Sequence, residues 1–282
     1  MFSSIPYLKL VWQLIALILA AYLFLVSLMF LNQKKLIYYP DQNKPDPQGF
    51  GVGDIRVIKV RTQDNLSLKG WYLPPAKDTL PVLLVFHGNA GHIGYRDHFI
   101  KTYKKAGMGV LLAEYRGYGG NEGKPHEEGL YLDARAYLQF LKEDQGIQSS
   151  RIVLYGESLG TGVAVDLATD KNIAAVILEA PYDSFTSLAQ THYGYIPFLS
   201  YMVSEKFDSI SKISRLEMPK LFLIAEKDQV VPAKHALNLF QEAPEPKKKV
   251  IFKQAGHNNF YDFETGKAAI DFLRDNKIIY KQ

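Results

Sequence analysis

The chain is predicted to fold as an α/β domain, a mostly parallel sheet with helices on both faces, behind one N-terminal transmembrane helix. Three observations predict it: a single long uncharged apolar run near the N-terminus, a later succession of short runs rich in Val, Ile and Leu, and helix-length amphipathic segments between most of those runs. Short runs that are apolar at every position suit strands buried on both faces of a parallel sheet. Strand alternating with helix is the α/β pattern. The 282 residues, 47% hydrophobic and 22% charged, suffice for one large domain. With no cysteine, disulfides, thiolate catalysis, Cys-type zinc sites and iron–sulfur clusters are excluded. A net charge of +4, dispersed along the chain, gives no footprint for nucleic acid.

The first element is the apolar run. From Leu10 to Leu31 the chain reads LVWQLIALILAAYLFLVSLMFL, with only Gln13 and Ser27 polar. As a helix it spans about 33 Å, one bilayer core. A cleaved signal peptide is the competing reading, but the run exceeds an ordinary h-region and no small-x-small site precedes Asn32-Gln33-Lys34-Lys35. Residues 1–35 are therefore expected to be an uncleaved single-pass anchor, in a bacterial inner membrane or an internal membrane. Lys9 and the terminal amine nearly balance Lys34 and Lys35, so charge favours neither orientation. Residues 36–53 have the Pro, Gly, Asp and Asn content of a linker, and residues 54–282 form the globular domain.

Within that domain, Ile55–Arg61 and Leu66–Tyr72 are spaced as an antiparallel opening pair. Buried strands are expected at Val82–Phe86, Gly109–Ala113, Ile152–Tyr155, Ala174–Leu178, Leu221–Ala225 and Lys249–Phe252. The helical segments are Tyr95–Ala106, Glu127–Glu143, Gly160–Thr169, Ala233–Gln241 and Phe260–Arg274. Ligands of such sheets bind beyond the carboxyl ends of the strands, so chemistry is sought in the loops that leave them.

The loop after Tyr155 reads Gly156-Glu157-Ser158-Leu159-Gly160, a G-x-S-x-G pattern between a buried strand and an apolar helix. That context presents the serine hydroxyl on a strained turn, beside the positive amino end of the helix. A serine in a merely structural turn is the bland alternative. A hydroxyl needs a base to become a nucleophile, usually a histidine oriented by a carboxylate, and this elbow takes them in the order Ser, acid, His. Of the histidines after Ser158, His257 lies just past the last strand, whereas His235 falls inside a helix and His192 in an aromatic insertion. The acid is read as Asp228, after the penultimate strand; Asp183, after the preceding one, is its rival and otherwise an ordinary turn carboxylate. Two backbone N–H groups must face the developing oxyanion. They are assigned to Leu159, next after the nucleophile, and to Asn89 in the loop His87-Gly88-Asn89-Ala90-Gly91. His87 itself is read as a packing and hydrogen-bonding residue.

The segments HGNAGHIGYR, LLAEYRGYGGNEGKPHEEGLYLDARA, YGESLGTGVAVDLA, SKISRLEMPKLFLIAEKDQVVP and AGHNNF, in that order, resemble the α/β-hydrolase superfamily. Within it the sequence is similar to membrane-anchored proteins of the fungal bud-emergence type and their animal and bacterial relatives. The resemblance implies the α/β-hydrolase fold and a serine hydrolase of ester, thioester or amide bonds without a cofactor; related branches include lysophospholipases and protein depalmitoylases. Two positions depart from the family pattern: Glu114 stands where an Asp is usual and Asn121 where a Ser is common. Arg116 and Tyr118 in the same loop are read as scaffold.

An aromatic, amphipathic insertion at residues 184–218 is expected to form a small helical cap over Ser158, and its Tyr193, Tyr195, Phe198 and Tyr201 would suit lipid acyl chains presented at a bilayer. Epoxide hydrolase and dehalogenase chemistry needs an aspartate at position 158, phosphate- and dinucleotide-binding glycine motifs are absent, and the histidines lack metal-ligand spacing. The expected function is hydrolysis of a small-molecule or lipid acyl ester or thioester. The alternative is a silent, membrane-tethered hydrolase-like scaffold.

Overall fold

A computed structural model describes residues 5–169 and 172–280. The domain opens with β1 (Arg56–Arg61) and β2 (Ser67–Leu73), paired antiparallel with Val60 opposite Leu68. There follow β3 (Val82–Phe86), β4 (Gly109–Ala113), β5 (Ile152–Glu157), β6 (Ala175–Glu179), β7 (Lys220–Ala225) and β8 (Lys247–Phe252). They form one sheet in the order β8-β7-β6-β5-β3-β4-β2-β1, and among the described residues only β2 runs against the others. Each expected strand coincides with an observed one to within two residues.

Alternation along the central strands splits the core into two layers. Val82, Leu84 and Phe86 face the layer completed by helices α3 (Glu127–Gln139), α4 (Leu159–Ala168) and α8 (Ala233–Glu242). Leu83 and Val85 face the layer of α2 (Asp97–Lys104) and α9 (Thr265–Asp275). All five residues of β3 are buried, which explains why the strand is apolar at every position. The helix expected from Phe260 begins only at Thr265. Residues His257–Asp262 instead make an irregular 3-10 turn, with Asn259 at φ −122° and its side chain accepting the Gly256 N–H at 2.8 Å.

The insertion carries three short helices, α5 (Phe185–Tyr193), α6 (Leu199–Met202) and α7 (Ile210–Ile213). Ser184 caps the first by accepting the Ser187 N–H at 3.0 Å. The apolar run forms α1 (Ile5–Ile37), long and apolar enough to cross a membrane. The segment after it has a linker's composition but is seated on the domain. Tyr39–Pro40 pairs in parallel with Ala90–Gly91, the Tyr39 N–H donates to Asn89 O at 2.9 Å, and Tyr38 is buried with its hydroxyl on Glu205.

The chain leaves β3 toward β4 on one side and returns to β5 on the other. Such a reversal opens a crevice at the carboxyl ends of the two strands. The loops of His87–Asn89 and of Ser158 meet there.

Candidate active site

Ser158 sits at φ 50°, ψ −113°, a conformation costing roughly 1–3 kcal/mol for a residue with a side chain. Its neighbours are glycine for a steric reason. A Cβ on Gly156 would lie 2.5 Å from Gly160 O, and one on Gly160 would lie 2.0 Å from Phe86 O. The turn is held open by bonds on both sides: the Ser158 N–H donates to Glu179 O at 2.8 Å, and Ser158 O accepts from Thr161 through both its N–H (2.9 Å) and its hydroxyl (2.6 Å).

The carboxylate and the imidazole expected to serve this serine are joined. His257 Nδ1 lies 2.6 Å from Asp228 Oδ2, while Asp228 Oδ1 accepts the N–H groups of Val230 and Val231 at 2.8 and 2.7 Å. The rival acid, Asp183, lies elsewhere: it bonds His235 Nδ1 at 2.9 Å. Ser158 and His257 line the same cavity, and no direct hydrogen bond joins them among the described residues. Loose spacing of this kind is common before substrate binds.

The loop bearing Asn89 is oriented from behind. His87, buried, donates from Nδ1 to Gly88 O at 2.8 Å, so the Gly88–Asn89 peptide turns its N–H the other way. The other ring nitrogen meets Glu114 Oε1 at 2.9 Å, and Glu114 Oε2 accepts the Ile93 N–H at 2.9 Å. Glu114 thus spans from the imidazole to the next loop, a reach in which the additional methylene over Asp is used. Asn121 ties the same loop to β2, its Oδ1 accepting the Lys69 N–H at 2.9 Å. Arg116 is enclosed by Asp64 and Asp133, as expected of scaffold. Tyr118 donates to Asn89 O at 2.8 Å and so supports the loop directly.

Two cavities meet at Ser158 and Asn89, which line both. One, about 430 Å³, is walled mainly by apolar side chains such as Phe185, Leu188 and Ile196 of the cap. The other, about 240 Å³, is polar and carries His257, Arg96, Glu157, His98 and Glu179. Of these only His257 was singled out from the sequence. Arg96 forks onto Glu157 at 2.7 and 3.0 Å. Burial opposes the charge of Glu157, but Arg96 outweighs it and holds the carboxyl at about 2. Glu179 pairs directly with no cation; burial, then the charge of Glu157, pushes it up to about 8 against the opposing effects of the Tyr155 hydroxyl, which donates to its Oε2, and of Arg96. A charged residue beside Ser158, at the end of an otherwise apolar strand, is the one signal in the sequence that a counter-charge is required. Among the described residues no cluster of His, Asp and Glu could hold a metal ion.

Residues 77–204 match the family model described as serine aminopeptidase, S33. Protein bem46 of Schizosaccharomyces pombe is 33% identical over 256 residues, which cover 86% of this chain and 85% of that protein. An uncharacterized membrane protein of Saccharomyces cerevisiae is 33% identical over 221 residues, 76% of each chain. Among solved structures, the Pyrococcus furiosus esterase Pf2001 superimposes with a TM-score of 0.68 at 20% identity, over 85% of this chain and 98% of that one, a likeness of fold.

Proposed function

The chain belongs to the bem46 family of α/β-hydrolases, and from that premise we propose that it is a membrane-anchored serine hydrolase of acyl esters or thioesters. The observation that carries the reading is the position of Ser158, strained on its elbow between an apolar and a polar cavity, with His257 held by Asp228 on the polar side.

In this reading the acyl chain lies in the apolar cavity and the alcohol or thiol portion in the polar one. Asp228 accepts the Nδ1–H of His257 and so leaves Nε2 as the base. Ser158 Oγ attacks the acyl carbon while its proton passes to His257. The oxyanion falls to the N–H groups of Leu159 and Asn89, each donor worth roughly 3–4 kcal/mol. Collapse breaks the bond to the leaving oxygen or sulfur, which takes the proton from His257; water then releases the acid by the same steps. The neutral polar wall at Glu179 and the Arg96–Glu157 pair suit a leaving group that hydrogen-bonds.

The exposed apolar surface of α1 supports placing that helix across a bilayer, since Leu14, Leu17, Ile18, Phe24 and Leu25 have no protein partner to cover them. The Saccharomyces cerevisiae relative, itself named as a membrane protein, supports the same placement.

A fluorophosphonate probe tests the reading. It is expected to label the wild-type protein and not Ser158→Ala, with p-nitrophenyl ester hydrolysis lost in parallel. Absence of labelling in the wild type would leave a non-catalytic scaffold.

A further inference from the structure

We propose that the C-terminal turns of α1 form one wall of the acyl-binding cavity, so that the membrane helix itself helps select long acyl chains drawn from the bilayer. The proposal rests on the hydrolase reading of Ser158 and adds a substrate source and specificity residues to it.

Three observations carry it. Val26, Met29, Phe30, Gln33, Leu36 and Ile37 of α1 line the apolar cavity, which Ser158 also lines. Their spacing follows one face of a helix, and the facing wall is the cap, through residues such as Leu188 and Leu199.

The helix is also fixed in place. The Gln33 side chain donates to Met202 O at 3.3 Å and accepts the Ser204 N–H at 2.9 Å, clasping the cap. Lys34 pairs with Glu205 at 3.3 Å. Asn89, whose N–H is the proposed oxyanion donor, sends its side-chain amide to Ile37 O at 2.9 Å. The last turn of α1 is therefore bonded both to the cap and to the loop that would stabilise the transition state.

The third observation is depth. Val26, Met29 and Phe30 belong to the uncharged run Leu10–Leu31, whose end is marked by Lys34 and Lys35. A wall that starts within the membrane-spanning stretch meets hydrocarbon before it meets water. Beside it the cap exposes Tyr195 (73%) and Tyr201 (88%), a residue type enriched at the membrane–water interface, with the apolar Phe198 (78%) between them. Transfer of an acyl chain from lipid to such a cavity gains little hydrophobic energy, because both surroundings are apolar. What the cavity supplies is alignment of the ester with Ser158 and a limit on chain length and shape.

The test uses the full chain in phosphatidylcholine nanodiscs. Val26→Trp and Met29→Trp would fill the cavity from the α1 side, while Leu25→Trp, at an exposed position, places the same bulk in lipid. The ratio of kcat/KM for p-nitrophenyl palmitate to that for the acetate is expected to fall at least tenfold in the first two and to stay at the wild-type value in the third. A ratio that moves no further than in Leu25→Trp would overturn the proposal. A palmitate bearing a terminal diazirine, photolysed on Ser158→Ala, reads the cavity without turnover: cross-links on Val26–Phe30 are expected, and cross-links confined to the cap would count against α1 as a wall. Cross-links on α1 with no hydrolysis by the wild type would refute the hydrolase reading alone.

Discussion

Two of the aspartate–histidine pairs among the described residues are of nearly equal length, and their surroundings make them opposites. Asp228 and His257 are 2.6 Å apart, with the imidazole side chain 14% exposed to a cavity and its Nε2 unbonded among the described residues. Asp183 and His235 are 2.9 Å apart, with the imidazole 2% exposed. There, Nε2 meets the Thr191 hydroxyl at 3.0 Å, and Asp183 further accepts the Ser184 N–H and the Asn238 amide at 2.7 and 2.9 Å. A base needs a free nitrogen in a space that substrate can reach. The first pair has one, while the second has spent both on tying α5 to α8. An Asp–His contact is therefore not by itself a catalytic signature; the occupancy of the distal nitrogen decides.

The comparison breaks most sharply at the first pair. His257→Ala is expected to lower kcat/KM for an ester by about four orders of magnitude or more, and Asp228→Asn by roughly 10³–10⁴-fold, since the amide no longer holds the imidazole in the tautomer that leaves Nε2 free. Both proteins should keep the wild-type melting temperature within a few degrees. Steady-state kinetics beside thermal denaturation measure the two quantities on one preparation. An Asp228→Asn variant as active as wild type would remove Asp228 from the mechanism.

Asp183→Ala is expected to behave in reverse. It leaves the buried His235 without its partner, for a loss of about 3–5 kcal/mol of stability, while kcat/KM for a short ester changes by less than tenfold. Burial works against the Asp183 charge, but His235 and Asn238 outweigh it and hold the carboxyl below its ordinary value. The contribution of that charge is thus present near neutrality and lost as pH falls. Urea denaturation at pH 7 gives the stability. A variant inactive but fully stable would exchange the roles of the two acids.

How much of this could be read beforehand follows from where each constraint lies along the chain. The central strands were legible because burial on both faces makes Val82–Phe86 and Gly109–Ala113 apolar at every position. Gly156 and Gly160 were legible because two backbones leave no room for a Cβ. His257 is distinguished from His235 in the sequence by its place just past the last strand rather than inside a helix; the bonds that occupy His235, from Asp183 and from α5, are not visible there. The Tyr38–Gly53 segment reads as linker because two paired residues, Tyr39 and Pro40, leave no periodicity to detect. The Arg96–Glu157 pair joins positions 61 residues apart, and the proposed role of α1 as a wall is hidden in a run whose uniform apolarity a membrane span already accounts for.

A pH series separates the two carboxylates that flank Ser158 on the polar side. Glu179, raised from 4.5 to about 8 by burial, takes up a proton on folding over the interval between those values. Stability contributed this way is complete below pH 4.5 and is lost as pH rises to about 8, at no more than about 1.4 kcal/mol per pH unit. Glu157, lowered to about 2, has the opposite sign: its contribution is complete above pH 4.5 and lost on acidification below it. The two windows do not overlap, so they can be resolved. In Glu179→Gln the decline of stability between pH 5 and 8 is expected to flatten, while the fall below pH 4.5 remains. Urea midpoints across that range measure both, and an unchanged decline would mean that the Glu179 carboxyl is already ionised at pH 5, with a charged rather than neutral wall facing the leaving group.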